Sequence, residues 1–223
     1  MSELIRIGLV AEGVTDRVVI EAAIESMLGD RPYILKLLQP ESSAFHAGPF
    51  GGGWKGVSAW CGLVRERNGN LAGDIVLDTN DIVILHLDAD VADEDEPAKG
   101  LPCSRPCPPS SATTDPLRVV FLGWLNEQDL PDRTVFCTPS KSTEAWVMEA
   151  LFPHDPEWKK KRECLTKPEV RLGQQPQKQR IRKSEVDYRR HSTRLSAEWP
   201  RVARTLSEAG RFDREFRKLA RGE

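Results

Sequence analysis

The chain has 223 residues, of which 39% are hydrophobic and 30% are charged. That length suits one α/β domain with an appendage, and the apolar content is sufficient for one buried core. The apolar runs are far shorter than the roughly 20 residues of a membrane-spanning helix, and the first residues lack the basic and apolar regions of a secretory signal. We therefore expect a cytoplasmic protein whose five cysteines are reduced thiols.

Charge is distributed unevenly along the chain, although the formal net charge is only −2. Residues 1–156 carry a net charge of −12, whereas residues 157–223 carry +10. This contrast predicts an acidic α/β domain followed by a basic, mainly helical C-terminal extension. Such an extension favours a polyanion as its partner, but it is also compatible with a solvated helical pair or with packing against the acidic domain.

The predicted elements of the first half begin with a strand at 4–11 that is apolar on both faces, as in the interior of a parallel sheet. A turn at 12–16 follows, with Thr15 or Asp16 as the N-cap of a helix that ends near residue 28. Further along, the pattern predicts a strand at 33–38, a glycine-rich loop at 48–56, a helix at 57–67 and a strand at 81–87.

In the second half, residues 91–116 are rich in proline, serine and acids, which is typical of a long loop or mobile flap. The pattern then predicts a helix at 117–126, a strand at 134–137, a helix at 142–151, an irregular basic segment at 157–190 and a helix at 194–219 that is broken near Gly210. The alternation of strands and helices favours an α/β fold with a central, mostly parallel sheet flanked by helices and a basic C-terminal helical tail.

Acidic residues follow two of the predicted strands. Glu12 ends the first strand, and Asp88 and Asp90 end the strand at 81–87, where an extended chain would point both side chains to one side. Ligands of parallel sheets bind beyond the carboxyl ends of the strands. Two carboxylates about 4 Å apart repel by roughly 4 kcal/mol at an effective dielectric near 20, so the cluster needs a cation or raised pKa values. Mg²⁺ or Mn²⁺ suits such oxygen ligands.

These acids, with the segment 139–146, resemble the TOPRIM domain of topoisomerases, DnaG-type primases and nucleases of the overcoming-lysogenisation-defect type. The Glu12-Gly13 turn and Asp88-Ala89-Asp90 are similar to the two acidic motifs of that family. Lys141 and Glu144, which is followed by Ala-Trp, are similar to a segment of small bacterial TOPRIM-like proteins. The resemblance covers residues 1–152, with a fainter similarity in the tail.

The resemblance implies that Glu12, Asp88 and Asp90 hold one or two divalent ions against a phosphodiester. It also implies that Glu144 is a fourth carboxylate for a second metal and that Lys141 stabilises the transition state. From the residues alone, Glu144 is equally compatible with an ordinary acid at a helix start, and Lys141 with a solvated loop lysine.

Other members of the family are less compatible with this chain. Topoisomerases need a tyrosine nucleophile on a further large domain, and only Tyr33 and Tyr188 are present. Primases need a zinc module, whereas Cys103 and Cys107 lack a second cysteine or histidine pair. A metal-dependent nuclease acting on DNA or RNA remains, and the resemblance implies an effector in bacterial phage defence. The alternatives are a non-catalytic regulatory or sensor subunit and a different phosphoryl-transfer enzyme.

The glycines at 48–56 lack the phosphate-loop signature. The resemblance therefore implies a separate ABC-type ATPase as a partner protein. Trp158 and Trp199 are candidates for stacking on bases, whereas the spacing of Trp146 predicts a core residue. His86, flanked by leucines, is expected to be a core histidine rather than a ligand. The predicted nucleic-acid-binding residues of the tail are Lys178, Arg180, Arg182, Lys183, Arg189 and Arg190.

Overall fold

The computed structural model describes residues 4–40, 51–94 and 107–222. Its centre is a sheet of four parallel strands in the order β2-β1-β3-β4. The strands are β1 (Ile5–Val10), β2 (Tyr33–Gln39), β3 (Ile82–His86) and β4 (Thr134–Cys137). The sheet confirms the predicted α/β class, and all four predicted strands are present.

Nine α-helices are present in the described residues, and none of them is long and apolar enough to cross a membrane. Helix α1 covers one face of the sheet, and the helices that connect β2 to β3 and β3 to β4 cover the other. The helices are α1 (Val14–Leu28), α2 (Gly53–Asn68), α3 (Ile75–Thr79), α4 (Ser111–Leu125), α5 (Glu144–Leu151), α6 (Pro156–Lys161), α7 (Pro168–Gly173), α8 (Glu185–Thr205) and α9 (Ser207–Arg221).

Right-handed crossovers explain this placement. From β1 the chain moves to one side to form β2, and it later returns to form β3 and β4 on the other side of β1. Because parallel crossovers are right-handed, the helices of the two halves lie on opposite faces of the sheet. The order of the strands therefore reverses between β1 and β3, which makes the carboxyl ends of these two strands the expected position of a ligand site.

Helix α1 has no polar face of the usual width, because it lies between the sheet and α8. Val18 and Ile24 are buried together with Val19 and Ala23, on several sides of the helix. A helix that is covered on both sides has no solvent-facing stripe, so its sequence shows little amphipathicity. The weak polar pattern of this helix is thus a consequence of the C-terminal region that covers it.

The C-terminal region packs into the same apolar core as the N-terminal domain. Trp146 of α5 contacts Trp199 of α8 edge-on, with ring centroids 5.1 Å apart, and stacks on Phe212 of α9 at 6.0 Å. Trp146 is buried, as its spacing predicted. Trp199 and Trp158 are buried as well, so the prediction that these two rings stack on bases is wrong. Their hydrophobic area is used for folding instead.

Ion pairs also join the basic tail to the acidic domain. Arg201 contacts Glu149 at 2.7 Å, and the buried Arg118 contacts Glu208 at 2.9 Å. The Arg201–Glu149 pair therefore neutralises part of the opposite charge of the two segments, whereas Arg118–Glu208 joins a cation of the domain to an acid of the tail. Packing of the tail against the acidic domain was one of the alternatives that the sequence left open.

Two local predictions are corrected by the structure. The break between the last two helices is at Leu206, and Gly210 lies inside α9. A Cβ atom at Gly210 would be 2.4 Å from the carbonyl oxygen of Ala203, so glycine permits close contact between α8 and α9 instead of ending a helix. The segment 157–190, predicted to be irregular, contains α6, α7 and the start of α8.

The cysteines differ from the expectation as well. Cys107 and Cys164 form a disulfide with Cα atoms 5.4 Å apart, whereas Cys61 and Cys137 are buried free thiols. The bonded residues are 57 positions apart and meet only because the tail folds back onto the domain, so their spacing did not reveal the pair. Residues 95–106, which include the middle of the predicted flap and Cys103, lie outside the described residues, as do residues 41–50, which include the start of the predicted glycine-rich loop.

Candidate functional site

The site lies where the carboxyl ends of β1 and β3 meet. Glu12 follows β1 after Ala11, and Asp88 follows β3 after Leu87. Glu12 Oε1 accepts the backbone N–H of Asp88 at 2.7 Å, so the two strand ends are directly connected. The backbone N–H of Gly53, at the start of α2, donates to the carbonyl oxygen of Glu12 at 2.8 Å. The predicted convergence of Glu12 and Asp88 is therefore present in the fold.

His86 is the third member of this cluster. It is fully buried, and its Nε2 lies 3.1 Å from Asp88 Oδ1. Its Nδ1 has no hydrogen-bond partner among the described residues. One ligand atom from each of Glu12, His86 and Asp88 can be chosen so that all three lie within 4.8 Å of one another. The three residues could therefore surround a metal ion.

His86 lies in the interior, as its leucine neighbours predicted, but its contact with Asp88 was not predicted. The signal was the spacing of two residues, because alternate side chains of a strand point to the same face. His86 continues the face of β3 formed by Ile82 and Ile84, which packs against the helices of the C-terminal region. Its neighbours on this face are apolar until the strand ends at the acids.

Asp16 and Thr143 form a second layer beneath the cluster. Thr143 donates from Oγ1 to Asp16 Oδ1 at 2.6 Å and from its backbone N–H to Asp88 Oδ1 at 3.2 Å. Asp16 does not cap α1, whose N-cap is Gly13 without a side-chain hydrogen bond, and Thr15 does not cap it either. The predicted cap is therefore wrong. Asp16 instead lies in the site, where it accepts the hydroxyl of Thr143, a residue 127 positions further along the chain.

Asp90 is placed differently from Asp88. The chain does not remain extended after Asp88, because residues Ala89–Asp93 form a 3₁₀ helix. The backbone N–H of Asp90 donates to the carbonyl oxygen of Lys141 at 3.0 Å, which ties this turn to the segment before α5. Asp90 remains exposed and is not one of the three clustered residues. Crowding by protein atoms nevertheless raises the pKa of its carboxyl to about 6, against the lowering effect of Lys183.

Glu144 lies at the start of α5 and is fully buried. Its Oε1 accepts the hydroxyl of Tyr188 at 2.9 Å and contacts Lys183 Nζ at 3.0 Å. Burial opposes ionisation of Glu144, but the Lys183 charge and the hydrogen bonds outweigh it and hold the pKa of this carboxyl below its usual value. Glu144 is therefore ionised beside a fixed counter-ion. Lys141, in contrast, has no ion pair among the described residues.

The ionised forms of Glu12 and Asp88 are unfavourable in the site. Burial, followed by the neighbouring Asp88, raises the pKa of Glu12 well above its ordinary value. Burial, followed by Asp16 and Glu144, raises the pKa of Asp88 in the same direction. Without a further cation, the site therefore favours protonated carboxyl groups.

A divalent ion bound by Glu12 and Asp88 is consequently expected to displace protons. The affinity for the ion should fall as the pH is lowered, because the raised pKa values of these carboxyl groups leave more of them protonated at the lower pH. Calorimetric titration with Mn²⁺ in two buffers of different ionisation enthalpy measures this effect, with about one proton released per ion. A heat of binding that is independent of the buffer would contradict the expectation.

Three of the six predicted nucleic-acid-binding residues line a basic cleft. The cleft has a volume of about 570 Å³ and is lined by Gln177, Arg180, Arg182, Ser184, Asp187 and Arg190. Lys178 is exposed next to it in the sequence. Arg189 pairs with Glu185 at 2.7 Å on the surface of α8. Lys183 points to the acidic site instead. A larger cleft, of about 780 Å³, is lined by none of the clustered acids.

No protein-family model matches the chain, and neither a curated protein nor a solved structure shows significant similarity to it.

Proposed function

We propose that the chain is a divalent-cation-dependent nuclease that hydrolyses phosphodiester bonds of DNA or RNA. The contact of Glu12, His86 and Asp88 at the point where the strand order reverses carries this proposal. The resemblance of the same strand ends to the TOPRIM motifs points to the same chemistry. A basic cleft formed by the segment that also places Lys183 at the acids supports a nucleic acid as the substrate.

The residues of the cluster fit a metal ion. Two carboxylates and an imidazole are common ligands of divalent ions, and the buried Nδ1 of His86 lacks another hydrogen-bond partner in the described part of the chain. The raised pKa values of Glu12 and Asp88 indicate that an additional positive charge would stabilise their ionised forms. Because imidazole nitrogen suits transition metals better than Mg²⁺, we propose that Mn²⁺ binds more tightly than Mg²⁺.

Glu12, His86 and Asp88 would hold the ion, which would neutralise developing charge on the phosphate and lower the pKa of an attacking water. Two further residues would orient the ligands and supply a positive charge. Thr143 orients Asp88 through its backbone N–H and holds Asp16 through its hydroxyl. Lys183, half exposed beside Glu144, supplies a fixed positive charge at the solvent side of the cluster, where a phosphate would approach.

The basic cleft would bind the backbone of the nucleic acid. Arg180, Arg182 and Arg190 line it without an aromatic platform, so contacts with phosphates are favoured over stacking on bases. Binding by such contacts weakens steeply as the salt concentration rises. We further propose, from the resemblance alone, that the nuclease is an effector of phage defence that works with an ABC-type ATPase.

The proposal is tested by incubating the purified full chain with plasmid DNA and with transfer RNA, each in Mn²⁺, in Mg²⁺ and in EDTA. We expect cleavage of at least one substrate in Mn²⁺, slower cleavage in Mg²⁺ and none in EDTA. A small phosphate diester and a phosphate monoester are assayed in parallel. Turnover of the small esters without cleavage of nucleic acid would favour a different phosphoryl-transfer enzyme.

Absence of cleavage under all these conditions, with the candidate ATPase present and absent, would overturn the nuclease assignment. If Mn²⁺ still raised the melting temperature of the chain, the cluster would then be a structural metal site of a regulatory subunit.

A further inference from the structure

The acids at this edge of the sheet contact two different sets of groups. Asp88 contacts Glu12 and His86, whereas Glu144 contacts Lys183 and Tyr188. Thr143 links the two sets, because its backbone N–H donates to Asp88 Oδ1 at 3.2 Å and it directly precedes Glu144 in the chain. Lys183 is the only lysine or arginine in the described residues that forms an ion pair with any of these acids.

Lys183 is held in this position by the local structure. It directly precedes Ser184, the N-cap of α8, whose hydroxyl accepts the backbone N–H of Asp187 at 3.3 Å. Tyr188 in the first turn of the same helix donates to the same oxygen of Glu144 that contacts Lys183. The start of α8 therefore places both the Lys183 ammonium and the Tyr188 hydroxyl against Glu144. The rest of α8 packs against α1 and α5.

Side chains of the protein itself, those of Lys183 and Tyr188, therefore contact the Glu144 carboxylate. Its Oε1 contacts both Lys183 Nζ and the Tyr188 hydroxyl, and the residue is fully buried. Its Oε2 is buried and accepts no hydrogen bond from the residues that the structure describes. Glu144 is not one of the three residues whose ligand atoms cluster. In a centre with two metal ions, the ions lie about 3.5–4 Å apart and share carboxylate ligands. Here the Lys183 ammonium already contacts Glu144, the carboxylate that a second ion would need.

We propose that Lys183 takes the place of a second metal ion, so that this centre binds one divalent ion at Glu12, His86 and Asp88. The inference rests on the metal site of the proposed function, but it does not require that the chain cleave nucleic acid. Lys183 neutralises Glu144 permanently, and its remaining N–H groups lie at the half-exposed side of the site. Removal of the ammonium would leave Glu144 without a counter-ion, with Oε2 unpartnered among the described residues and Oε1 bonded only to the Tyr188 hydroxyl, so that a second ion could take the place of the ammonium.

The test is the number of Mn²⁺ ions bound by the full chain, measured by equilibrium dialysis and by titration calorimetry. We expect one ion for the wild type and two for Lys183→Gln, with the first ion bound about tenfold more tightly in the variant because a nearby positive charge is lost. Lys36→Gln removes the same charge from an exposed position on β2 and should bind one ion with wild-type affinity. Two ions in the wild type, or one ion in Lys183→Gln, would overturn the inference.

A second variant covers the case in which Lys183→Gln does not fold because Glu144 loses its counter-ion. Lys183→Gln combined with Glu144→Gln replaces the ion pair by two neutral side chains of similar size. It should bind one ion with less than about a tenfold change in affinity, because neither residue is a ligand. Loss of binding beyond tenfold would identify Glu144 as a ligand and contradict the inference. Stoichiometry as expected without any cleavage would reject the nuclease proposal but keep the role of Lys183.

Discussion

Asp88→Asn is expected to lower cation-dependent cleavage at least about 100-fold, since loss of a direct ligand should exceed the effect of losing an outer-shell partner. Asp88 contacts His86 and Thr143 and belongs to the cluster that could hold the ion. Asparagine keeps an oxygen that can accept the Thr143 N–H, but it removes the charge that the ion needs. The measurements are initial cleavage rates in Mn²⁺ and the affinity for Mn²⁺.

The same substitution is not expected to destabilise the protein without metal. The pKa of Asp88 is raised, chiefly by burial, which means that its ionised form is unfavourable in the folded state. At pH values above that raised pKa, the charge of Asp88 opposes folding, and a neutral amide removes this penalty. The melting temperature of Asp88→Asn without metal should equal or exceed that of the wild type, and Mn²⁺ should raise it less.

Asp90→Asn is the matched control, because it changes the same functional group two residues away. Asp90 is exposed and lies outside the cluster of Glu12, His86 and Asp88. We expect a smaller loss of Mn²⁺ affinity than for Asp88→Asn. Equal losses for the two variants would support the ligand set implied by the TOPRIM resemblance over the set with His86. Full activity of a folded Asp88→Asn variant would reject the metal-dependent mechanism.

Gly210→Ala is expected to destabilise the protein by about 3 kcal/mol, at the upper end of the usual range for overpacking. The added Cβ would lie 2.4 Å from the carbonyl oxygen of Ala203, which is backbone and cannot turn away as a side chain would. Helices α8 and α9 would have to separate, and this would disturb the packing of Trp199 on Phe212. Thermal unfolding should show a decrease in melting temperature of roughly 5–10 °C for a chain of this size.

Gly62→Ala is the control for the intrinsic effect of replacing a helical glycine. Gly62 lies inside α2, and its added Cβ would meet no atom within 4 Å. This variant should be stabilised by about 0.5–1 kcal/mol, because alanine loses less backbone entropy in a helix. If the two substitutions changed the stability by similar amounts, the backbone of α9 at Gly210 would not be in close contact with the backbone of α8 at Ala203.

The local sequence predicted the elements of the sheet well. The predicted strand at 134–137 coincides with β4, and β1 and β3 differ from their predicted ranges only at the ends. These strands are apolar on both faces because they are covered on both sides, a feature that each segment shows by itself. The meeting of Glu12 with Asp88 followed from the general rule that parallel strands present their carboxyl ends at one edge.

Local sequence patterns were therefore enough to predict the parallel sheet and the acids at its strand ends. They did not predict that His86 contacts Asp88, that Lys183 and Tyr188 reach Glu144, or that Cys107 pairs with Cys164, all of which were found in the folded chain. The difference lies in the range of the interactions. Periodicity and turn preferences act between near neighbours, whereas these contacts, apart from that of His86, join residues far apart in the chain. They form only when the C-terminal helices pack on the domain.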